Sequence, residues 1–160
     1  MLNITIIAVG QLREKYFREA ADEYKKRLGG TGRVNEIEIK EEKLSDSPSD
    51  AQIAAALDKE ADRIIEAIPK KSFVVPMCIE GKHLSSEEFA NTLDNAALMG
   101  KSSVTFIIGS SFGLSDRVKK LADLKLSMSK MTFPHKLARV MLFEAVYRAV
   151  SISSGSKYHK

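Results

Sequence analysis

The chain has 160 residues, of which 44% are hydrophobic and 29% charged, and its net charge is +4. This composition supports one domain with a real core, spanning 1–160, and excludes an intrinsically disordered chain. Its apolar runs are far shorter than the roughly 20 residues of a membrane span, and the amino terminus lacks the pattern of a secretory signal. We therefore expect a cytoplasmic protein without a membrane segment.

The cysteine and histidine content argues against a metal centre. Cys78, the single cysteine, lies in an apolar run, so one chain can form neither a disulfide framework nor a cysteine metal site. We interpret Cys78 as a small buried hydrophobic residue, with a catalytic thiol as the alternative. The histidines at 83, 135 and 159 lack the paired spacing of a zinc site. No metal is expected.

The first half of the chain predicts two strands and two helices. The β-rich apolar run at 2–9 predicts a strand, and 14–28 carries apolar residues at helical spacing. Ile37 and Ile39 alternate with charged residues, which is typical of a half-exposed strand. After a polar loop, a regular apolar stripe predicts a helix from about 50 to 68.

The next segment predicts two strands separated by a helix. Residues 72–79 form a strand-like run, although Pro76 has no N–H to donate and so indicates an edge position or the end of the strand. Ser85 and Glu88 have the spacing of a capping box, which opens a helix that Gly100 closes. The run at 103–108 is nearly all apolar, as in a strand buried on both faces of a parallel sheet.

The last quarter predicts a turn, a short helix, a short strand and a long helix. The chain turns at 109–113, and Ser115 can cap a short helix that contains Val118, Leu121 and Ala122. We predict a final strand at 124–128 and a helix from near Pro134 to Gly155. The alternation predicts an α/β fold with a mostly parallel sheet, whose ligands bind beyond the carboxyl ends of the strands.

Positive charge is concentrated at the carboxyl end. From 117 to 160 there are ten Lys/Arg and two Asp/Glu, a net of +8, so the remainder carries −4. This asymmetry favours a face that meets a polyanion such as RNA. A solvated basic helix is the alternative.

Three loops that follow apolar runs are candidate sites, at 76–81, 109–113 and 128–135. The glycines of the second loop would let a ligand approach the backbone, although an ordinary strand-to-helix turn looks alike. The loop matches neither the dinucleotide-binding nor the P-loop pattern, which disfavours a phosphate-rich cofactor. The sequence also lacks the nucleophile motif of serine hydrolases and the motifs of protein kinases.

The stretch LSMSKMTFPHK at 126–136 carries a family resemblance. It resembles the RlmH (YbeA) family of SPOUT-class methyltransferases, which modify a pseudouridine in large-subunit ribosomal RNA. The similarity spans essentially the whole chain, and its further segments are 4–10, 23–28, 81–82, 84–87, 144–149 and 158–160.

The resemblance implies a SPOUT-type α/β domain with a trefoil knot, a mostly parallel central sheet flanked by helices, and a homodimer with its sites at the interface. It implies S-adenosylmethionine as the cofactor, held in a bent pose among three loops by backbone groups and flanking apolar side chains. The implied cofactor-binding residues are Met77, Gly109, Met128, Ser129, Lys130, Met131, Thr132 and Phe133.

On the target side the resemblance implies Arg148, Tyr158 and His159 as catalytic residues, with the tail at about 153–160 contributing to the active site. Without it, this tail would be taken for a frayed terminus. If the tail of one subunit closes over the cofactor of the other, His159 can orient the base or take up a proton, and Arg148 can hold a phosphate or a base carbonyl. His135 is a second candidate for the proton, with a structural role at the helix start as the alternative.

The implied reaction is methylation of N3 of a pseudouridine in 23S ribosomal RNA. A domain this small offers little surface for reading sequence, so we expect the assembled ribosome to be the substrate. Three residues depart from the family pattern, namely Ser110 in place of a second glycine, Met77 in place of leucine, and Lys157 in place of proline. We expect Ser110 to narrow the cofactor pocket and Lys157 to loosen the tail.

Two other functions fit the sequence. A binding-only protein would use the basic region to hold RNA and would bind no cofactor. An α/β enzyme for a small molecule would turn over without RNA, and substitution of Lys119, Lys120 or Lys130 would hardly affect it.

Overall fold

The computed structural model describes residues 3–159. Strands alternate with helices until two helices close the chain, so the α/β prediction is confirmed. No helix in this described range is both long and apolar enough to cross a membrane. The elements are β1 (Asn3–Val9), α1 (Lys15–Gly29), β2 (Val34–Ile39), α2 (Asp50–Ala67), β3 (Phe73–Lys82), α3 (Ser86–Leu98), β4 (Ser103–Ile108), α4 (Asp116–Lys119) and α5 (His135–Ser153).

The sheet has four strands in the order β2-β1-β4-β3, and each neighbouring pair is parallel. All six residues of β4 are buried, as predicted for a strand covered on both faces. One apolar cluster joins Phe106 of β4 to Val146 of α5, and the other joins Ile107 to Ile64 of α2. Helices therefore cover both faces of the sheet. Leu2, the predicted first residue of β1, lies outside the described residues.

The predicted helix ends are largely confirmed. The capping box at α3 is present, with the Glu88 amide donating to Ser85 Oγ at 3.1 Å and the Ser85 amide donating to Glu88 Oε2 at 2.7 Å. Ser115 caps α4 as predicted, but α4 has only four residues and ends before Leu121 and Ala122. A second capping box, at Ser49, was not predicted.

The predicted strand at 124–128 is wrong. This segment runs beside β3 but forms only isolated bridges, from Leu126 to Met77 and to Lys82. Val74 faces the segment and is held by the Asp123 side chain, which accepts its amide at 2.8 Å. Pro76, two residues on, faces the same side and has no N–H to donate, so a regular ladder cannot continue. Pro76 thus lies on the edge strand, as its missing donor indicated.

A buried arginine fixes the first turns of α5. Arg139 is 1% exposed, and its guanidinium donates to Glu38 Oε2 at 2.7 Å, to Glu36 Oε1 at 3.3 Å and to the Gly10 carbonyl at 3.0 Å. One turn earlier, Lys136 pairs with Glu14, just before α1, at 2.7 Å. These contacts tie the start of α5 to β2 and to the loop after β1. Removing one partner of a buried ion pair typically costs about 3–5 kcal/mol.

The basic carboxyl-terminal quarter does not form one uncompensated face. Nine of its ten cations lie within residues 3–159; five of these nine form ion pairs, and one of the five, Arg139, is buried and cannot contact RNA. Four of the five pair with carboxylates from earlier in the chain, where the sequence carries its net negative charge. The paired cations are Arg117, Lys119, Lys136, Arg139 and Arg148.

We predict that Glu38→Gln makes stability less dependent on acid pH. Burial alone raises the pKa of Glu38, but hydrogen bonds from Arg139 and the Leu12 amide hold the pKa below its ordinary value of 4.5. A depressed folded-state pKa stabilises the protein above pH 4.5, and this stabilisation is lost as the pH falls through the folded-state pKa. Urea unfolding should show the variant about 1–3 kcal/mol less stable at pH 7.

The difference between wild type and Glu38→Gln should then narrow as the pH falls below about 4.5. Glu19→Gln is the matched control, since Glu19 is exposed and makes only a surface pair with Lys15. A difference that stays constant from pH 7 to pH 3 would show that the Glu38 charge does not act through Arg139.

Candidate functional site

The main cleft lies at the carboxyl edge of the parallel sheet and has a volume of about 780 Å³. Pairing between β3 and β4 stops at Pro76 and Ile107, and the two chains separate beyond that point. A cleft at this edge is where the sequence pattern places a ligand. Its size and mainly apolar lining are typical of a small-molecule site.

Three segments form the walls of the cleft. They are the distal part of β3 at 77–80, the loop at 108–114 after β4, and the segment 127–138, which includes the first turn of α5. The three predicted loops therefore meet at one place. Most of the lining is apolar or backbone, and among residues 3–159 no cluster of His, Cys, Asp and Glu could hold a metal.

Two glycines permit close backbone contacts in and beside these walls. A Cβ atom on Gly109 would lie 2.2 Å from the Gly113 carbonyl oxygen, and one on Gly81 would lie 2.5 Å from the Leu126 carbonyl carbon. Both distances are far below van der Waals contact. The loop after β4 and the crossing of β3 with the 125–127 segment therefore require glycine at these positions.

The structure brings together seven of the eight residues predicted to bind the cofactor. Lys130 is exposed and does not line the cleft. Ser110 is buried, and its hydroxyl accepts the Phe112 amide at 3.3 Å, so this oxygen serves the loop itself. The seven lining residues are Met77, Gly109, Met128, Ser129, Met131, Thr132 and Phe133.

Several lining residues were not predicted to bind the cofactor. Cys78 is half-buried in the wall of the cleft instead of fully buried, and burial raises the pKa of its thiol, which disfavours a reactive thiolate. His135 is the first residue of α5, and burial lowers its pKa. Glu80 and Lys119 also line the cleft and form an ion pair at 2.7 Å.

The three predicted catalytic residues form a separate cluster. Arg148 donates to Glu144 through Nε at 3.0 Å and Nη2 at 2.5 Å, and the Tyr158 hydroxyl donates to the same carboxylate at 3.2 Å. The Arg148 guanidinium lies 4.8 Å from the centre of the Tyr158 ring, which packs edge-on against Tyr147. The tail through His159 is therefore held against α5 and is not a frayed end; Lys160 lies outside the described residues.

The contacts of His159 fix the role of each ring nitrogen. Nδ1 lies 3.4 Å from Arg148 Nη1, and Nε2 lies 2.7 Å from Glu87 Oε1. A guanidinium has only donors and an ionised carboxylate only acceptors, so in the neutral ring these contacts favour the tautomer with the hydrogen on Nε2 and the lone pair on Nδ1. The Glu87 amide, and after it His159, lower the pKa of the Glu87 carboxyl, which keeps it ionised. Burial first, followed by hydrogen bonding, raises the pKa of Tyr158 to about 12, so its hydroxyl remains a donor.

Within one chain, the cleft and the cluster of Arg148, Tyr158 and His159 lie apart. His135 at the start of α5 lines the cleft, whereas Arg148 lies thirteen residues further along the same helix. At 1.5 Å per residue this separates them by roughly 20 Å. Neither Arg148, Tyr158 nor His159 lines the cleft.

Comparison with known proteins identifies relatives over nearly the full length. Residues 2–159 match a family model described as a predicted SPOUT methyltransferase. The chain is 46% identical to the ribosomal RNA large subunit methyltransferase H of Clostridium kluyveri, over 99% of this chain and 100% of the relative. Proteins of Methanococcus maripaludis and Methanococcus vannielii, which bear the same name as a provisional designation, match with the same identity and coverage.

We predict that Gly109→Ala distorts the cleft and weakens binding of the expected cofactor. The added methyl group would collide with the Gly113 carbonyl and with Leu114, so the loop after β4 must move into the cleft or away from it. Affinity for S-adenosylmethionine, measured by isothermal titration calorimetry, should fall at least about tenfold. Gly29→Ala, where a Cβ meets nothing within 4 Å, is the control and should bind as wild type does. If the Gly109→Ala variant bound S-adenosylmethionine as tightly as wild type does, the loop after β4 would not belong to the cofactor site.

Proposed function

The chain belongs to the SPOUT methyltransferase family, and on that premise we propose that it transfers a methyl group to the RNA of the large ribosomal subunit. The observation that carries the proposal is the division of the predicted site between the two ends of α5. A largely apolar cleft suits a methyl donor, and a cluster of Arg148, Tyr158 and His159 suits a polar, anionic target.

We propose S-adenosylmethionine as the donor, and the residues of the cleft fit it. Met77, Met128 and Phe133 offer apolar surface for the purine ring. The backbone of the loops at 108–114 and 127–134 offers amides and carbonyls that can read the edge of the base. When bound, this cofactor supplies a methyl carbon activated by an adjacent sulfonium. The trefoil knot that the resemblance implies belongs to the same proposal.

The target would be N3 of a pseudouridine in 23S RNA, a nitrogen that must lose its proton to become a nucleophile. His159 can accept that proton at Nδ1 once the base displaces Arg148 Nη1 from this nitrogen, while Glu87 holds the opposite side of the ring. Arg148 can hold a phosphate or a base carbonyl, because its Nη1 is directed away from Glu144 and towards His159. Alignment of nitrogen with methyl carbon should supply most of the acceleration.

We propose a homodimer, which the distance between the two half-sites supports. Since one chain keeps them roughly 20 Å apart, the tail of one copy would meet the cleft of another in this proposal. The exposed apolar side chains at the cleft, which belong to Ile79, Phe112 and Met131, fit burial in such an assembly.

We propose the assembled ribosome, in the cytoplasm, as the substrate. Five of the nine described carboxyl-terminal cations are compensated by carboxylates, and Arg139 among them is buried, so this part of the chain has less free charge for holding naked RNA than its sequence suggests. A ribosome can supply the shape that positions a single base.

The direct test supplies S-adenosylmethionine with a labelled methyl group to ribosomes lacking the modification, to naked large-subunit RNA, and to a sample without RNA. The proposal predicts label in one pseudouridine of the ribosome. Label in the sample without RNA would favour an enzyme of small molecules. Absence of label together with absence of cofactor binding would favour a protein that only binds RNA.

We predict that His159→Ala slows methyl transfer to ribosomes about 100-fold or more, because loss of a general base typically costs this much. The imidazole contacts only exposed or half-buried partners, so the melting temperature should be unchanged. His83→Ala, an exposed histidine outside the cleft and the tail cluster, is the matched control. A variant that retains the wild-type rate would exclude His159 as the proton acceptor.

A further inference from the structure

The cleft contains one pair of opposite formal charges. Lys119 Nζ, at the end of α4, lies 2.7 Å from Glu80 Oε1, near the end of β3. The other residues that line the cleft, in the part of the chain that the structure describes, are uncharged, apart from the titratable His135. The hydrogen bond from Lys119 holds the pKa of Glu80 below its usual range, so the carboxylate is ionised at neutral pH.

The pair lies at the rim of the apolar surface. Glu80 is three residues beyond Met77 on β3, and Lys119 is five residues beyond Leu114 after the loop that follows β4. The side chain of Lys119 is 22% exposed and that of Glu80 is 47% exposed. A ligand whose flat apolar part lies between the walls therefore shares the cleft with both charges, and an attached polar chain can reach them.

A paired cation and anion select a different ligand from a lone lysine. A lone lysine would attract a phosphate of RNA, but here Glu80 would repel it. A ligand end that bears both an ammonium and a carboxylate can pair its ammonium with Glu80 and its carboxylate with Lys119, so every charge keeps a partner of opposite sign. Opening this partly exposed ion pair costs little free energy, because such pairs are weak in water.

We propose that Glu80 and Lys119 form the subsite for the amino-acid end of the methyl donor, with Lys119 Nζ donating to its carboxylate and Glu80 accepting from its ammonium. This inference rests on the proposed function, because it takes S-adenosylmethionine as the donor. It adds two residues that determine specificity to a cleft whose other contacts with the donor would be apolar or made by the backbone.

The test compares two ligands that share purine, ribose and thioether. S-adenosylhomocysteine carries the amino-acid end, and 5′-methylthioadenosine lacks both of its charges. Calorimetric titration of the wild type should show tighter binding of S-adenosylhomocysteine. In Lys119→Met and in Glu80→Gln this preference should fall about three- to tenfold, while affinity for 5′-methylthioadenosine stays unchanged.

Lys120→Met is the matched control, because Lys120 is the next residue and exposed but does not line the cleft. It should keep the wild-type preference. The exchanged variant Glu80→Lys with Lys119→Glu keeps an ion pair that can hold the walls, but it inverts the positions of the charges, so its preference should also be reduced.

An unchanged preference in both single variants, with 5′-methylthioadenosine still bound, would overturn the subsite and leave the proposed function intact. An equal loss of affinity for both ligands would also overturn it, since the pair would then serve only to hold the walls. Failure of the wild type to bind either ligand would overturn the proposed function and the subsite together.

Discussion

The buried guanidinium of Arg139 is the contact on which the site depends. It joins the second turn of α5 to carboxylates of β2 and to the carbonyl of Gly10, the first residue after β1. A buried charge without partners is strongly unfavourable, so α5 has one low-energy position on the sheet. The segment 127–134 directly precedes α5, and the position of the helix therefore sets where this segment lies against the loop after β4.

The same helix carries the second half of the site. The far end of α5 presents Arg148, and the tail folds back so that Tyr158 and His159 meet it there. Glu144 and Glu87, which belong to two packed helices, hold these groups before any ligand binds. Because a helix is a rigid spacer, one chain cannot close the distance between the two ends. A second copy is the simplest way to do so, and the cofactor would then lie between an apolar cleft and a polar tail.

The sequence predicts the regular elements well because local rules govern them. The capping box at Ser85, the all-apolar run of β4 and the missing donor of Pro76 each depend on neighbouring residues only. The strand predicted at 124–128 fails because its pairing depends on Val74 and Pro76, some fifty residues away, which composition cannot reveal. Arg139 shows the same limit, since it counts as a surface cation in the sequence and is buried in the fold.

The same difference between local and distant contacts decides which parts of the candidate site the sequence predicts. The family resemblance points to the loops and to the tail residues, and the fold gathers seven of eight predicted cofactor residues in one cleft. It assigns no role to Glu80 or Lys119, and although Glu87 and Glu144 lie in segments that carry the resemblance, the contact of Glu87 with His159 appears only in the fold. Ion pairs between distant segments are the feature that the fold adds.

The claim that the site is shared between two copies has one direct test. Gly109→Ala impairs the cleft and His159→Ala impairs the tail, so each variant alone should methylate ribosomes poorly. Mixing the two after dissociation and reassembly should restore roughly a quarter of the wild-type activity, because half of the dimers then hold one intact cleft beside one intact tail. If the mixture stays as inactive as the separate variants while mixed dimers are present, the cleft and tail act within one chain and the account is contradicted.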